Sequence, residues 1–114
     1  MYYVDFETGK NTYKLRLTTR NVVALEKQLG CNPLLIFGDG DTVPTVATMV
    51  AVLHSSLQAL EHGISLDDTY SIFDEWLEAG HNAVEFVNII LEIYKASGLI
   101  PNVDTATEGN EKNE

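Results

Sequence analysis

The chain has 114 residues, 45% of them apolar, and carries 17 acidic against 7 basic side chains for a net charge of −10. That length makes one domain with room for a real core; no apolar run approaches the roughly eighteen residues of a membrane span, and so acidic a chain is repelled by nucleic acid and anionic lipid, so neither is expected as a partner. A lone cysteine, Cys31, excludes an internal disulfide, and no charged leader followed by an apolar segment points to export, so a cytoplasmic protein is expected.

The charge is unevenly placed. Residues 1–27 hold five basic side chains (Lys10, Lys14, Arg16, Arg20, Lys27) and three acidic ones (Asp5, Glu7, Glu26), whereas residues 28–94 hold ten acidic side chains and no lysine or arginine. One reading is solubility alone. The sharper one is that the basic end of one copy meets the acidic body of another.

The chain opens with alternation. Tyr2, Val4 and Phe6 alternate with Tyr3, Asp5 and Glu7, and after a loop at 8–11, Tyr13, Leu15 and Leu17 alternate with Lys14 and Arg16. This predicts a hairpin over 2–17 in which Phe6 faces Tyr13, Val4 faces Leu15, Tyr2 faces Leu17 and Asp5 faces Lys14. A two-stranded ribbon with one apolar face is not stable alone, so it must lie on helices.

Thr18 or Thr19 caps a helix expected over about 20–29, with Val22, Leu25 and Leu29 inward and Gly30 as its stop. Asn32 and Pro33 open a further helical turn through Phe37. The loop at 38–43 pairs Asp39 with Asp41 but lacks the further oxygen ligands and closing glutamate of a calcium loop, and it lacks the lysine of a phosphate loop.

A central helix is expected over 45–61, capped by Thr42 or Thr45, with Pro44 in its first turn and Gly63 beyond its end. Val46, Met49, Val50, Leu53, Leu57 and Leu60 form one apolar stripe; Ala47, Ala51 and Ser55 form a second, flat strip suited to close approach of another helix. Ser65 with Asp68 has the spacing of a capping box for a helix over 66–79, with Leu66, Tyr70, Phe73 and Leu77 in its apolar row and Ile72 and Trp76 adjoining. Asn82 with Glu85 opens the last helix, 83–97, ended by Gly98 and Pro101. Its apolar residues cover roughly 220° of the wheel, more than one contact face needs, so part should meet the hairpin or another chain. From about residue 101 the chain is acidic, with few apolar residues, and is expected to be a disordered tail.

The architecture expected is therefore mainly α: four helices and a short helical turn, with the N-terminal hairpin packed on them, over residues 1–100. Residues expected to stand exposed for a partner are Trp76, Phe86, Ile89 and Ile93, with Arg16 and Arg20 as basic contacts to a neighbouring copy. No catalytic, cofactor or metal site is expected. His54 and His62 are eight apart rather than four, Asp74, Glu75 and Glu78 form a solvated acidic face, and no serine has a nucleophile-elbow context.

Residues 15–37, LRLTTRNVVALEKQLGCNPLLIF, followed by ValProThr at 43–45, SerLeuGln at 56–58, HisGlyIle at 62–64 and PheAspGluTrpLeuGluAlaGly at 73–80, resemble the tail assembly chaperones of long-tailed bacteriophages and prophages. The resemblance covers about residues 1–100. It implies a mostly helical, self-associating protein, without catalysis, that binds the tape measure protein and helps recruit tail tube subunits. It also implies work in the host bacterial cytoplasm and absence from the mature virion. Such chaperones commonly have a longer frameshifted product, for which the acidic tail, with Glu111, Lys112 and Asn113, is a suitable junction. Two alternatives of other classes stand beside this reading: a small acidic adaptor or inhibitor that occupies a basic partner as a nucleic-acid mimic, and a metal-dependent enzyme using His54, His62 and the carboxylates.

Overall fold

The computed structural model describes residues 3–38, 43–61 and 63–101. The order of elements is β1 (Val4–Glu7), β2 (Thr12–Leu15), α1 (Thr19–Leu29), a single 3-10 turn (Pro33–Leu35), α2 (Val46–Leu57), α3 (Leu66–Glu78) and α4 (Ala83–Ala96). Four helices, the short turn and the antiparallel hairpin are the architecture expected from the sequence. The Tyr2–Leu17 pairing, the Asp39 and Asp41 loop, His62 and the tail after Pro101 lie outside the described residues.

The hairpin has the register that its alternation dictates: Val4 opposite Leu15, Asp5 opposite Lys14 and Phe6 opposite Tyr13. Its inner face is buried through Phe6, Leu15 and Leu17. The backbone beyond the ladder is held by the helices. The Lys14 N–H donates to the Glu61 carboxylate (3.0 Å), the Arg16 N–H to the Ser56 carbonyl (2.8 Å) and the Leu17 N–H to the Ser97 hydroxyl (2.9 Å). Pairing of this kind removes orphan donors and fixes the ribbon across the ends of α2 and α4.

Each helix starts at a side chain that can satisfy its free N–H groups. Thr18 caps α1 in a capping box with Asn21; Ser65 and Asp68 exchange bonds of 3.0 Å each at the start of α3; Asn82 and Glu85 do the same for α4. Thr45 caps α2, so Pro44 lies before the cap and not within the first turn. Gly30 ends α1 at φ 74°, a left-handed conformation that a Cβ would strain. Helix α2 stops at Leu57, four residues short of its expected end. The Ser56 carbonyl is taken by the hairpin, and Gln58 turns inward, its Nε2 donating to the carbonyls of His54 and Ile64 (2.9 Å each). The ladder is given up there for bonds to other segments.

Helix α2 is the centre of the packing, with α1, α3, α4 and β2 all against it. Met49, Val50, Val52, Leu53 and Leu57 are buried, and so are Ala51 and Ser55 of the small-residue strip. Val46 and Leu60, at the two ends of the expected stripe, are exposed, Val46 as the first residue of α2 and Leu60 beyond its end. The core is completed by an aromatic cluster in which Phe86 meets Phe6, Phe73 and Trp76 at ring-centroid distances of 5.9, 5.3 and 5.5 Å, all three edge to face.

Candidate partner-binding surface

Of the six residues expected to meet a partner, three are interior. Trp76 is 3% exposed and Phe86 and Ile93 are fully buried, so a single folded copy cannot present them. Ile89 is half-buried against the core, Arg16 is half-buried and Arg20 is exposed.

The physical reason for the correction lies in two helix faces. On α3 the buried row is Thr69, Ile72, Phe73 and Trp76, a helical stripe that centres about one position away from the expected Leu66, Tyr70, Phe73 and Leu77 row. Thr69 is admitted to that row because its hydroxyl donates to the Ser65 carbonyl (2.9 Å), which removes the cost of burying it. With Thr69 inside, Tyr70 is turned out and is half exposed. On α4 the wide apolar arc is covered on one flank by β1, leaving Val84 as its open apolar side chain.

Trp76 is sealed further by His81, whose ring stacks on the indole at 4.7 Å and 4°. His81 Nδ1 lies 3.1 Å from the Glu85 carboxylate, and that contact, with the Asn82 N–H bond, holds the Glu85 carboxyl below its ordinary range. Asp68 is lowered in the same direction by its backbone and side-chain bonds with Ser65. Tyr94 is buried with its hydroxyl donating to the Pro33 carbonyl (2.8 Å), and burial pushes its phenol well up. Partial burial, then the nearby Glu75 and Glu61 carboxylates, push the Tyr13 phenol up. These groups serve caps and packing, and they do not converge on a cleft.

The expected acidic face of α3 is open at Asp74 and Glu78, while Glu75 is drawn to the hairpin turn, accepting the Thr8 hydroxyl at 3.0 Å. His54 is half-buried in α2. Among the described residues no group of three or more His, Cys, Asp or Glu side chains is placed to hold a metal ion. No described helix is long and apolar enough to cross a membrane.

What the fold does present is a cleft of about 270 Å³ where α1, α2 and α3 converge, lined by Gln28, Leu29, Ala47, Thr48, Val50, Ala51, Leu66 and Tyr70. It is the outer end of the small-residue strip: Ala51 forms part of the floor and Ala47 stands exposed at the rim. Val46, next in sequence to Ala47, is 53% exposed and Tyr70 is 50% exposed. The small residues of α2 therefore do two things. Toward Ser55 they are covered by the body of the protein, and toward Ala47 they leave a gap whose walls mix aliphatic, aromatic and polar side chains.

A family model matches residues 5–114, from β1 through the end of the chain. The chain belongs to that family, described as a family of unknown function (DUF6096). The match takes in every strand and helix around the cleft, so the cleft is built wholly within the DUF6096 region. No curated protein and no solved structure matches the chain.

Proposed function

We propose that this DUF6096 chain is a tail assembly chaperone of a long-tailed bacteriophage or prophage. It acts without catalysis in the host bacterial cytoplasm, binding the helical tape measure protein, helping recruit tail tube subunits and leaving before the virion is complete. The ordered blocks of sequence similarity, from Leu15 to Phe37 and from Phe73 to Gly80, motivate the reading. The observation that carries it structurally is the uncovered cleft between α1, α2 and α3, in which Leu29, Leu66 and Tyr70 stand beside the polar Gln28 and Thr48.

A cleft with alanine in its floor, leucine and tyrosine in its walls and Gln28 and Thr48 among them suits the edge of an amphipathic helix, whose apolar anchors recur three or four residues apart beside polar neighbours. Small side chains on the floor let the client backbone come close. The acidic body around it keeps the pair soluble while the client is unassembled, because like-charged complexes repel one another.

Co-expression with a helical segment of the tape measure protein encoded in the same genome tests this. The chain should keep that segment soluble and copurify with it. Ala47→Glu, which fills the cleft at an exposed first-turn position where an acidic residue suits the helix dipole, should weaken capture about tenfold or more with the fold intact. A segment that precipitates in the presence of the wild-type chain, or that is captured equally by Ala47→Glu, would refute the proposal.

A further inference from the structure

We infer that the acidic segment 102–114 seats on the exposed basic face of α1 in its own chain, covering that face until an acidic partner displaces it. On α1, Arg20, Val23, Ala24 and Lys27 share one exposed face, and with Thr19 they line a shallow depression along the helix. Arg20 and Lys27 have no anionic partner among the described residues. The first turn of α1 carries no acidic residue either, so the positive end of its dipole is met only by the neutral cap at Thr18.

The other described cations lie elsewhere or are engaged. Lys10 is in the hairpin turn, Lys14 lies over the Tyr3 ring at 5.0 Å, Lys95 pairs with Glu92 at 3.3 Å and Arg16 is engaged within its own chain. Residues 102–114 hold Asp104, Glu108, Glu111 and Glu114 against Lys112 alone. In a chain of net charge −10 most of the surface repels such a segment, as the exposed Asp67, Asp74 and Glu78 do on α3. The α1 face is where it is attracted.

Chain connectivity brings the segment to that face. Helix α4 ends at Ala96, and the hydroxyl of the next residue, Ser97, accepts the Leu17 N–H at 2.9 Å, one residue before the Thr18 cap of α1. Gly98, at φ 81°, turns the chain, and Leu99 and Ile100 pack on the core. Four residues separate Ser97 from Pro101 and three separate Leu17 from Arg20, so Pro101 lies within about 30 Å of Arg20. The residues that follow it span up to about 45 Å when extended, so they reach α1 even at that limit. Glu108 and Glu111, three residues apart, are separated by about 10 Å in an extended chain, which matches the roughly 10.5 Å along the helix from Arg20 to Lys27.

Tethering offsets the weakness of the pairs. Exposed ion pairs are individually weak and screened by salt, but a segment on a short linker is present at an effective concentration on the order of millimolar. The contact therefore forms within one molecule, needs no client and opens at high salt. A separate acidic segment takes its place only by exceeding that effective concentration or by binding more tightly.

Paramagnetic broadening of amide signals in the full chain tests it. A nitroxide attached at Asn110→Cys, in a background where Cys31→Ser leaves no other thiol, should broaden the amides of Arg20, Val23, Ala24 and Lys27 at least about threefold more than those of Asp74 and Glu78. Raising the salt to about 0.5 M should remove most of that difference. Glu108→Lys with Glu111→Lys should remove it too, and adding Arg20→Glu and Lys27→Glu to the same chain should bring it back. If that fourfold variant loses helix by circular dichroism, Arg20→Gln with Lys27→Gln replaces it and should abolish the difference by itself. Isotope-labelled chains without nitroxide, mixed with unlabelled chains that carry it, should show no broadening at α1. Amides of α1 broadened no more than those of α3, a difference unchanged by salt or by the charge variants, or equal broadening in the mixture, which would make a second copy the source of the segment, would overturn the inference.

Discussion

Phe86→Ala is the change that separates the interior from the surface most sharply. Phe86 is fully buried and its ring contacts Phe6, Phe73 and Trp76, so it joins β1, α3 and α4 at one point. Truncation leaves a cavity walled by three other aromatic rings, which cannot collapse into it without moving two helices and the hairpin. Such Phe-to-Ala changes cost about 3–5 kcal/mol, out of the roughly 5–15 kcal/mol by which a domain of this kind is stable. At about 4–8 °C for each kcal/mol, the melting point should fall by at least about 12 °C. Urea unfolding followed by Trp76 fluorescence and by far-UV circular dichroism measures it, with Val84→Ala, at a residue 65% exposed, as a control expected within about 0.5 kcal/mol of wild type. A Phe86→Ala chain with an unchanged midpoint and a lost partner contact would refute the packing argument, and would return Phe86 to the surface role that its position on the helix wheel first suggested.

Two further outcomes follow from the caps. Asn82→Ala removes the acceptor for the Glu85 N–H (3.1 Å) and half of the capping box of α4, and should cost about 1 kcal/mol in urea unfolding; a loss no larger than that of an exposed control would contradict it. The Asp68 and Glu85 carboxyls both lie below their ordinary range in the folded chain, so the unfolded chain binds their protons first as pH falls. Their contribution is complete above the ordinary carboxylate range of about pH 4 and is lost as pH drops through the lower folded values. The urea midpoint should therefore fall below about pH 4, less steeply in Asp68→Asn, and an identical acid limb in that variant would show that the cap does not titrate.

Much of this fold was legible before any coordinates. The hairpin register followed from alternation over a few residues, with Asp5 opposite Lys14 as a charge check. Ser65 with Asp68 and Asn82 with Glu85 announced two helix starts, and Gly30 announced a helix end. The candidate surface was much less legible. Trp76, Phe86 and Ile93 look like helix-wheel edges until β1 is laid over α4 and Thr69 is admitted to the core, and the cleft at Ala47 is framed by residues of α1 and α3 over a strip that α2 alone presents as uniform.

The division has a physical cause. Caps, turns and strand alternation are set by groups within about four residues of one another, so the chain specifies them unaided. Which side of an apolar helix is buried depends on how much covering surface arrives from elements distant in sequence, and where α2 ends depends on the hairpin taking the Ser56 carbonyl. The sequence by itself determined the elements and their boundaries to within a few residues. The tertiary structure decided which greasy faces are spent on the core and which remain at the surface.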